Sequence, residues 1–190
     1  MSGGTAEERV EAQRDRFAPI FARIAEEASR RDHDSTLALE LVDQLKSAGF
    51  GAILVPEEDG GPGVGYLGLV SLLIELAAAD PNVAQVFRSH FHVVEVLVAE
   101  PESDFRRRWL QEVRDGRLFS NGVTNTPETP LGGSSARIGA ENGRPVLHGA
   151  KSYTTGSLFA DWLLVIADRA DGEHGTVFVS ASASGVSLVD

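Results

Sequence analysis

Two stretches of this chain carry small hydroxyl side chains and glycines at the ends of β-type sequence: Phe119 to Glu128, FSNGVTNTPE, and Gly149 to Asp161, GAKSYTTGSLFAD. Hydroxyls and bare backbone amides at strand tips are the equipment for holding a flat, hydrogen-bonding heterocycle, which points to a flavin. In Thr154-Thr155-Gly156 a Thr hydroxyl both donates and accepts, so it can meet the N5 edge of such a ring in either protonation state. Adjacent Thr residues are also ordinary strand formers. Gly122 permits close backbone approach, and the amides around Val123 and Thr124 can bond the polar pyrimidine edge; Asn, Gly and Thr are equally common where a strand enters a turn. Gly132-Gly133-Ser134 offers successive glycine amides and a hydroxyl, an anion-binding concavity for the phosphate of FMN or the pyrophosphate of FAD, although the same tripeptide is frequent in flexible loops.

A different chemistry is available at His90, in RSHFH. On a helix it shares a face with Val83, Val86, Phe87, Val94 and Leu97, which places an ionisable ring in an apolar wall. Such a histidine is more often a satisfied core residue, but an uncharged imidazole in a dry pocket also holds or passes one proton near neutral pH. His92 faces elsewhere and is expected to be exposed. Glu57, Glu58 and Asp59 lie in VPEEDGGPG without a histidine or ordered ligand spacing, so they read as a solvated turn, and no metal site is expected.

These residues need helices first and strands afterwards. Thr5 and Glu8 form a capping box ahead of a stripe of Val10, Phe17, Ile20, Phe21, Ile24 and Ala28. A second helix is expected from Asp34 or Ser35, carrying Leu37, Leu41, Val42 and Leu45 to a stop at Gly49. Ile53 to Gly65 reads as an irregular loop. Tyr66 to Ala79 is apolar almost throughout, which predicts a helix buried on most of its circumference. Asp80-Pro81 starts the helix that carries His90, and a shorter one, about Ser103 to Arg114, precedes the turn at Asp115-Gly116. Short strands are expected at Leu118 to Thr124, Ala136 to Ala140, Pro145 to His148, Ser152 to Thr155, Trp162 to Ala167 and Thr176 to Ser180, with Asn142-Gly143 as a hairpin turn.

Composition narrows the partners. A formal charge of -11 over 190 residues disfavours phosphate backbones and anionic membranes, so neither nucleic acid nor membrane is expected as a partner. The absence of cysteine excludes disulfides, thiolate metal sites and a Cys nucleophile and fits a reducing cytoplasm. The polar start of the chain lacks the apolar core of a signal peptide, and a cytoplasmic protein is the expectation.

The order and spacing of the motifs resemble the acyl-CoA dehydrogenase superfamily. Gly149-x-Lys151-x-Tyr153-x-Thr155 resembles the family's strand in which an aromatic packs by the flavin and a hydroxyl reaches N5. Asn121 and the LFADW of Leu158 to Trp162 resemble the branch of flavin-dependent organosulfur monooxygenases of the dibenzothiophene and sulfone type. Val55 to Gly63 resembles the family's V-P-E-E-Y-G-G, a structural turn. The resemblance implies that Thr155 and Asn121 frame the reactive edge as catalytic residues, with His90 beside the flavin to manage a proton. Tyr153 would pack on the ring, joining Val123, Thr124, Gly133, Ser134 and Thr155 as the residues that bind FAD or FMN.

For the whole chain the resemblance implies an α+β fold, with an N-terminal all-α helical domain (1–115) followed by the first part of an antiparallel β domain (116–190), the family's C-terminal helical bundle being absent. It also implies an oxidoreductase: a monooxygenase that takes reduced flavin from a separate flavin reductase and oxygenates a small apolar or organosulfur substrate. An FAD-dependent acyl-CoA dehydrogenase is the alternative, for which no carboxylate base can be assigned. A truncated or split, non-catalytic subunit completed by a chain supplying the missing bundle is another, and a complete protein would be a homo-oligomer. One departure stands out: dehydrogenases read T-E-P and the sulfur branch carries a nearby acidic residue where this chain has Asn125 and Thr126.

Overall fold

The computed structural model describes residues 4–189, so residues 1–3 and Asp190 lie outside the description. The chain divides into two compact units, one reaching Leu118 and one starting at Phe119. Six α-helices occupy the first and five strands the second among the described residues.

In the helical unit, α1 (Ala6–Glu26) begins with the expected capping box: Thr5 Oγ1 accepts from the Glu8 amide and the Glu8 carboxylate from the Thr5 amide. Phe17, Phe21 and Ile24 are its buried face. The helix expected from Asp34 or Ser35 is instead two elements. Helix α2 (Ala28–Asp34) closes at Ser35, which is left-handed with φ 51°, and α3 (Leu39–Ser47) starts only after Ala38. The chain reverses at Ser35 because the amides of Ser35 and Thr36 return to the carbonyls of Asp32 and Arg31, satisfying the end of α2. Leu37 is left exposed in the connection, while Val42 and Leu45 are buried as expected. The irregular stretch after α3 contains a 3-10 turn at Phe50–Ala52, whose Phe50 ring meets Phe17 and Phe87 edge-on at 5.0 Å each. Such edge contacts add about 1 kcal/mol apiece beyond area burial.

Helix α4 (Gly65–Ala79) departs from the expectation of near-complete burial. It buries Gly68, Leu69, Leu72 and Leu76, while Leu67 and Ile74 are 85% and 65% exposed. The cause is a shortage of neighbours, because α4 packs on α1 and on α5 (Pro81–Ala99) and its third side is open among the described residues. Asp80 caps α5 by accepting from the Asn82 amide at 2.9 Å, and Arg31 pairs with it at 2.8 Å in a buried ion pair. Ser103 caps α6 (Asp104–Arg114) through the Arg106 amide.

The second unit is a sheet of β1 (Phe119–Gly122), β2 (Ala136–Glu141), β3 (Arg144–Gly149), β4 (Trp162–Asp168) and β5 (His174–Ser180). Asn142 and Gly143 are both left-handed between β2 and β3, as a two-residue hairpin requires. The sheet is mixed rather than antiparallel throughout. β4 runs parallel to β1 and, at Arg137↔Asp168, to β2, and antiparallel to β5. The parallel pairing follows from the long excursion between β1 and β4, which contains the whole β2–β3 hairpin. Leu163, Val165 and Ala167 alternate inward along β4 and with Ala136 form the core of this unit.

Candidate functional site

The segment read from sequence as a strand at Ser152 to Thr155 is an irregular loop. Gly149, at φ 134°, turns the chain off the end of β3, where an added Cβ would lie 2.1 Å from the Ser135 carbonyl oxygen. Tyr153 then takes the left-handed conformation at φ 52°, and its side chain is 85% exposed. The Thr155 amide turns back onto the Tyr153 carbonyl at 2.9 Å, and Ser157–Phe159 forms a 3-10 turn. The hydroxyls are displayed by a loop, without a sheet ladder to order them.

That loop is fastened to the exit of β1. Ser120 Oγ donates to the Thr155 carbonyl at 2.8 Å, and the Ser152 amide donates to the Thr124 carbonyl at 2.9 Å. Asn121 and Thr155 are thereby brought onto neighbouring segments. The β1–β4 register ends at Gly122↔Val165, so Val123 and Thr124 extend beyond the ladder, with Val123 44% exposed. Of the residues predicted to grip a flat ring, Asn121, Val123, Thr124, Tyr153 and Thr155 thus gather on two sewn segments. An exposed aromatic, small hydroxyls and backbone past the end of a ladder fit the polar edge of a flavin.

Gly122 has a different use from the one expected. A Cβ there would lie 3.2 Å from Val165 Cγ2 and 3.4 Å from Lys151 Cγ, so the space is needed by the protein's own side chains. The Gly132-Gly133-Ser134 loop likewise turns its amides inward. The Gly133 amide donates to the Pro130 carbonyl and the Ser134 amide to a carboxylate oxygen of Asp168 at 3.1 Å. Ser134 Oγ donates to the Ile166 carbonyl at 3.1 Å and accepts from Lys151 Nζ at 2.9 Å. A phosphate would have to displace Asp168 from this loop, so the concavity drawn from sequence is not formed by Gly133 and Ser134.

His90 lies in the helical unit and is fully buried. Its Nε2 is 2.9 Å from the Gly51 carbonyl oxygen, to which it donates, and its ring stands edge-on to Phe87 and Phe91. This geometry has the features of a satisfied core histidine. His92 is exposed, as expected. Asp59, placed in a solvated turn by the sequence, is largely buried in a two-pronged pair with Arg106 at 2.7 and 2.5 Å. The Arg106 guanidinium holds the Asp59 carboxyl below its ordinary value. A groove of about 780 Å³ beside this pair is lined by Glu102, Arg107 and Arg114 among others. Its arginines already engage carboxylates or carbonyls of the protein.

Sequence reasoning missed a polar cluster at the root of the two sewn segments. Asn125 Nδ2 donates to the Gly133 carbonyl at 2.9 Å, while Oδ1 accepts from the Ser135 amide at 3.1 Å and from Lys151 Nζ at 2.7 Å. An acidic residue at position 125 would lack the donor for Gly133, which gives a physical reason for asparagine there. Burial pushes the Lys151 ammonium below the usual lysine value, and the nearby Asp168 charge pulls it partly back. Asp168 also pairs with His174 Nδ1 at 2.8 Å. The sequence signals were the lysine of the G-x-K frame, Ser134 of the Gly-Gly-Ser loop and the departure at Asn125, with nothing local to join them. Among the described residues, no three His, Cys, Asp or Glu side chains gather as metal ligands, and no helix is long and apolar enough to cross a membrane.

A helical unit followed by a small mixed sheet with sewn strand exits is the class the geometry defines. The chain belongs to the acyl-CoA dehydrogenase family, whose N-terminal domain matches residues 7–117, the stretch from α1 through α6. Among curated proteins, a putative acyl-CoA dehydrogenase, YdbM, of Bacillus subtilis (strain 168) is 27% identical over 84% of this chain and 44% of its own length. A probable FMNH2-dependent monooxygenase, SfnC, of Pseudomonas putida is 24% identical over 90% of this chain and 42% of its own. Among solved structures, FMN-bound TdsC from Paenibacillus sp. A11-2 superposes with a TM-score of 0.79 at 20% identity, over 90% of this chain and 44% of that one. The chain therefore spans less than half the length of the curated relatives it matches.

Proposed function

We propose that this chain contributes to a flavin-dependent oxidoreductase, and that the finer reading is a reduced-flavin monooxygenase. The carrying observation is the sewing of the β1 exit to the 149–156 loop through Ser120 Oγ and the Ser152 amide. In this proposal the backbone at Val123 and Thr124 meets the pyrimidine edge of FMN, with FAD as the alternative cofactor, and Tyr153 covers the ring. Thr155 and Asn121 face its reactive edge, where the Thr hydroxyl donates or accepts as the ring's protonation demands. The bound flavin would supply the redox chemistry, and the chain's residues orient it and keep water from it. His90 enters as the residue that holds the 3-10 turn at Phe50–Ala52 against α5 through its Nε2 bond to Gly51, and proton handling by its imidazole is part of the same proposal. The small apolar or organosulfur substrate and a reductase supplying reduced flavin belong to the same proposal, supported by the likeness to the FMNH2-dependent monooxygenase SfnC and to FMN-bound TdsC; a further chain as partner and a homo-oligomeric state are additional parts of it.

The 27% identity to a putative acyl-CoA dehydrogenase favours a second reading, an FAD-dependent dehydrogenase. One set of measurements separates the readings. Purified chain is titrated with FMN and FAD and its visible spectrum recorded. Oxygen uptake that depends on NADH and a flavin reductase supports the monooxygenase, and anaerobic bleaching by acyl-CoA supports the dehydrogenase. Flavin binding without either reaction marks a subunit that needs another chain. No binding of oxidised or reduced flavin ends the enzymatic reading.

A further inference from the structure

Lys151 meets three segments at once. Its stem lies over Gly122, where a Cβ would come within 3.4 Å of Lys151 Cγ. Its ammonium donates to Asn125 Oδ1 at 2.7 Å and to Ser134 Oγ at 2.9 Å. Asn125 passes the constraint on to Gly133 and the Ser135 amide, and Ser135 Oγ donates to the Ala150 carbonyl at 2.5 Å, next to Lys151 itself. The Asp168 carboxylate holds the Ser134 amide from the other side and lies close enough to favour the charged lysine. The result is a closed circuit around one partly buried cation.

We propose that Lys151 is a positioning residue for the flavin site, its ammonium and stem fixing the β1 exit, the 132–135 loop and the 149–156 loop in the single arrangement that presents Val123, Thr124, Tyr153 and Thr155 together. The inference rests on the flavin reading above. The three segments make few ladder hydrogen bonds, so their order rests on isolated ties through Ser120, Ser152, Asn125, Ser135 and Asp168, and the cation is the one group that joins Gly122, Asn125 and Ser134 at once. Charge-assisted hydrogen bonds from a desolvated ammonium are the strong kind, and they act here through the loops, with no contact to the ring required. Methionine at 151 keeps the stem over Gly122 and removes only the cation; arginine keeps the cation.

The test compares the full chain with Lys151→Met and Lys151→Arg. FMN affinity is read by fluorescence quenching, the bound-flavin visible spectrum is recorded, and hydrogen exchange at 122–126 and 132–135 is followed without flavin. Lys151→Met is expected to bind FMN about tenfold more weakly or worse, with a blurred bound spectrum and faster exchange in both segments. Lys151→Arg is expected to recover most of the affinity, which loss of general stability would not predict. If Lys151→Met does not fold, Lys151→Gln, which keeps a donor without the charge, takes its place with the same expectation. Parental FMN affinity and exchange in the methionine or glutamine variant would overturn the positioning role and leave the flavin reading intact. Failure of the parent itself to bind FMN would overturn both.

Discussion

A Cβ on Gly51 would lie 2.7 Å from His90 Nε2, a ring atom with no room to retreat in a fully buried site. Gly51→Ala is therefore expected to lose about 1–3 kcal/mol through overpacking. His90→Ala is expected to lose about 2–4 kcal/mol, since a cavity opens beside Phe87 and Phe91 and the Gly51 carbonyl loses its donor. The two losses should not add. The double variant is expected to be more stable than their sum implies, because the new methyl occupies part of the vacated space, and urea unfolding of all four proteins measures that coupling. Asn125→Asp is expected to lower the melting temperature despite placing a carboxylate beside Lys151, because the Gly133 carbonyl then faces an acceptor. A melting temperature equal to the parent's would show that the donor at position 125 carries no stability. His90 shows how far sequence reached at this scale. Its face on the helix was legible from the spacing of Val83, Val86, Phe87, Val94 and Leu97, but its partner at Gly51, 39 positions away, was not.

Among the elements, α6 is tied to the 57–60 turn by Arg106 and Asp59. The carboxyl titrates below its ordinary 3.8 when folded, so the pair adds stability above that value and gives it up as pH falls through the lowered pKa. Asp59→Asn is expected to melt earlier than the parent at neutral pH, by about 2 kcal/mol of stability, and the gap should close in strong acid. Melting curves from pH 7 downward check this, and a gap constant with pH would contradict the assigned cause. Three clustered carboxylates on a turn, without a histidine or ordered ligand spacing, carry the sequence pattern of a solvated turn. The folding of Arg106 over one of them is a contact between elements 47 positions apart. The loop at 152–155 departs from its strand pattern for a related reason. Its β-type composition satisfied a strand pattern, but the ladder position was lost when Gly149 turned the chain away from β2.

At the scale of the whole molecule, the open side of α4 and the net charge act together. Leu67, Val70 and Ile74 form an exposed apolar stripe without a charged side chain, and Ser71 and Glu75 beside it are already engaged by Arg14. A charge of -11 opposes non-specific association at pH 7, while near the isoelectric point of about 4.9 that repulsion vanishes. Self-association measured by light scattering is expected to peak near pH 5, and the pair Leu67→Lys and Ile74→Lys to suppress it with little change in melting temperature. Equal scattering by parent and variant would remove the stripe as the cause. The sequence by itself determined the class of the fold, the helical-then-β order, the capped starts of α1 and α5 and the Asn142-Gly143 hairpin, because periodicity, caps and turn residues are local signals. Tertiary structure alone decided which apolar faces found neighbours, that β4 takes parallel partners, and that Lys151, Asn125, Ser134 and Asp168 meet. Those outcomes depend on distances across long intervals of chain, which no local pattern encodes.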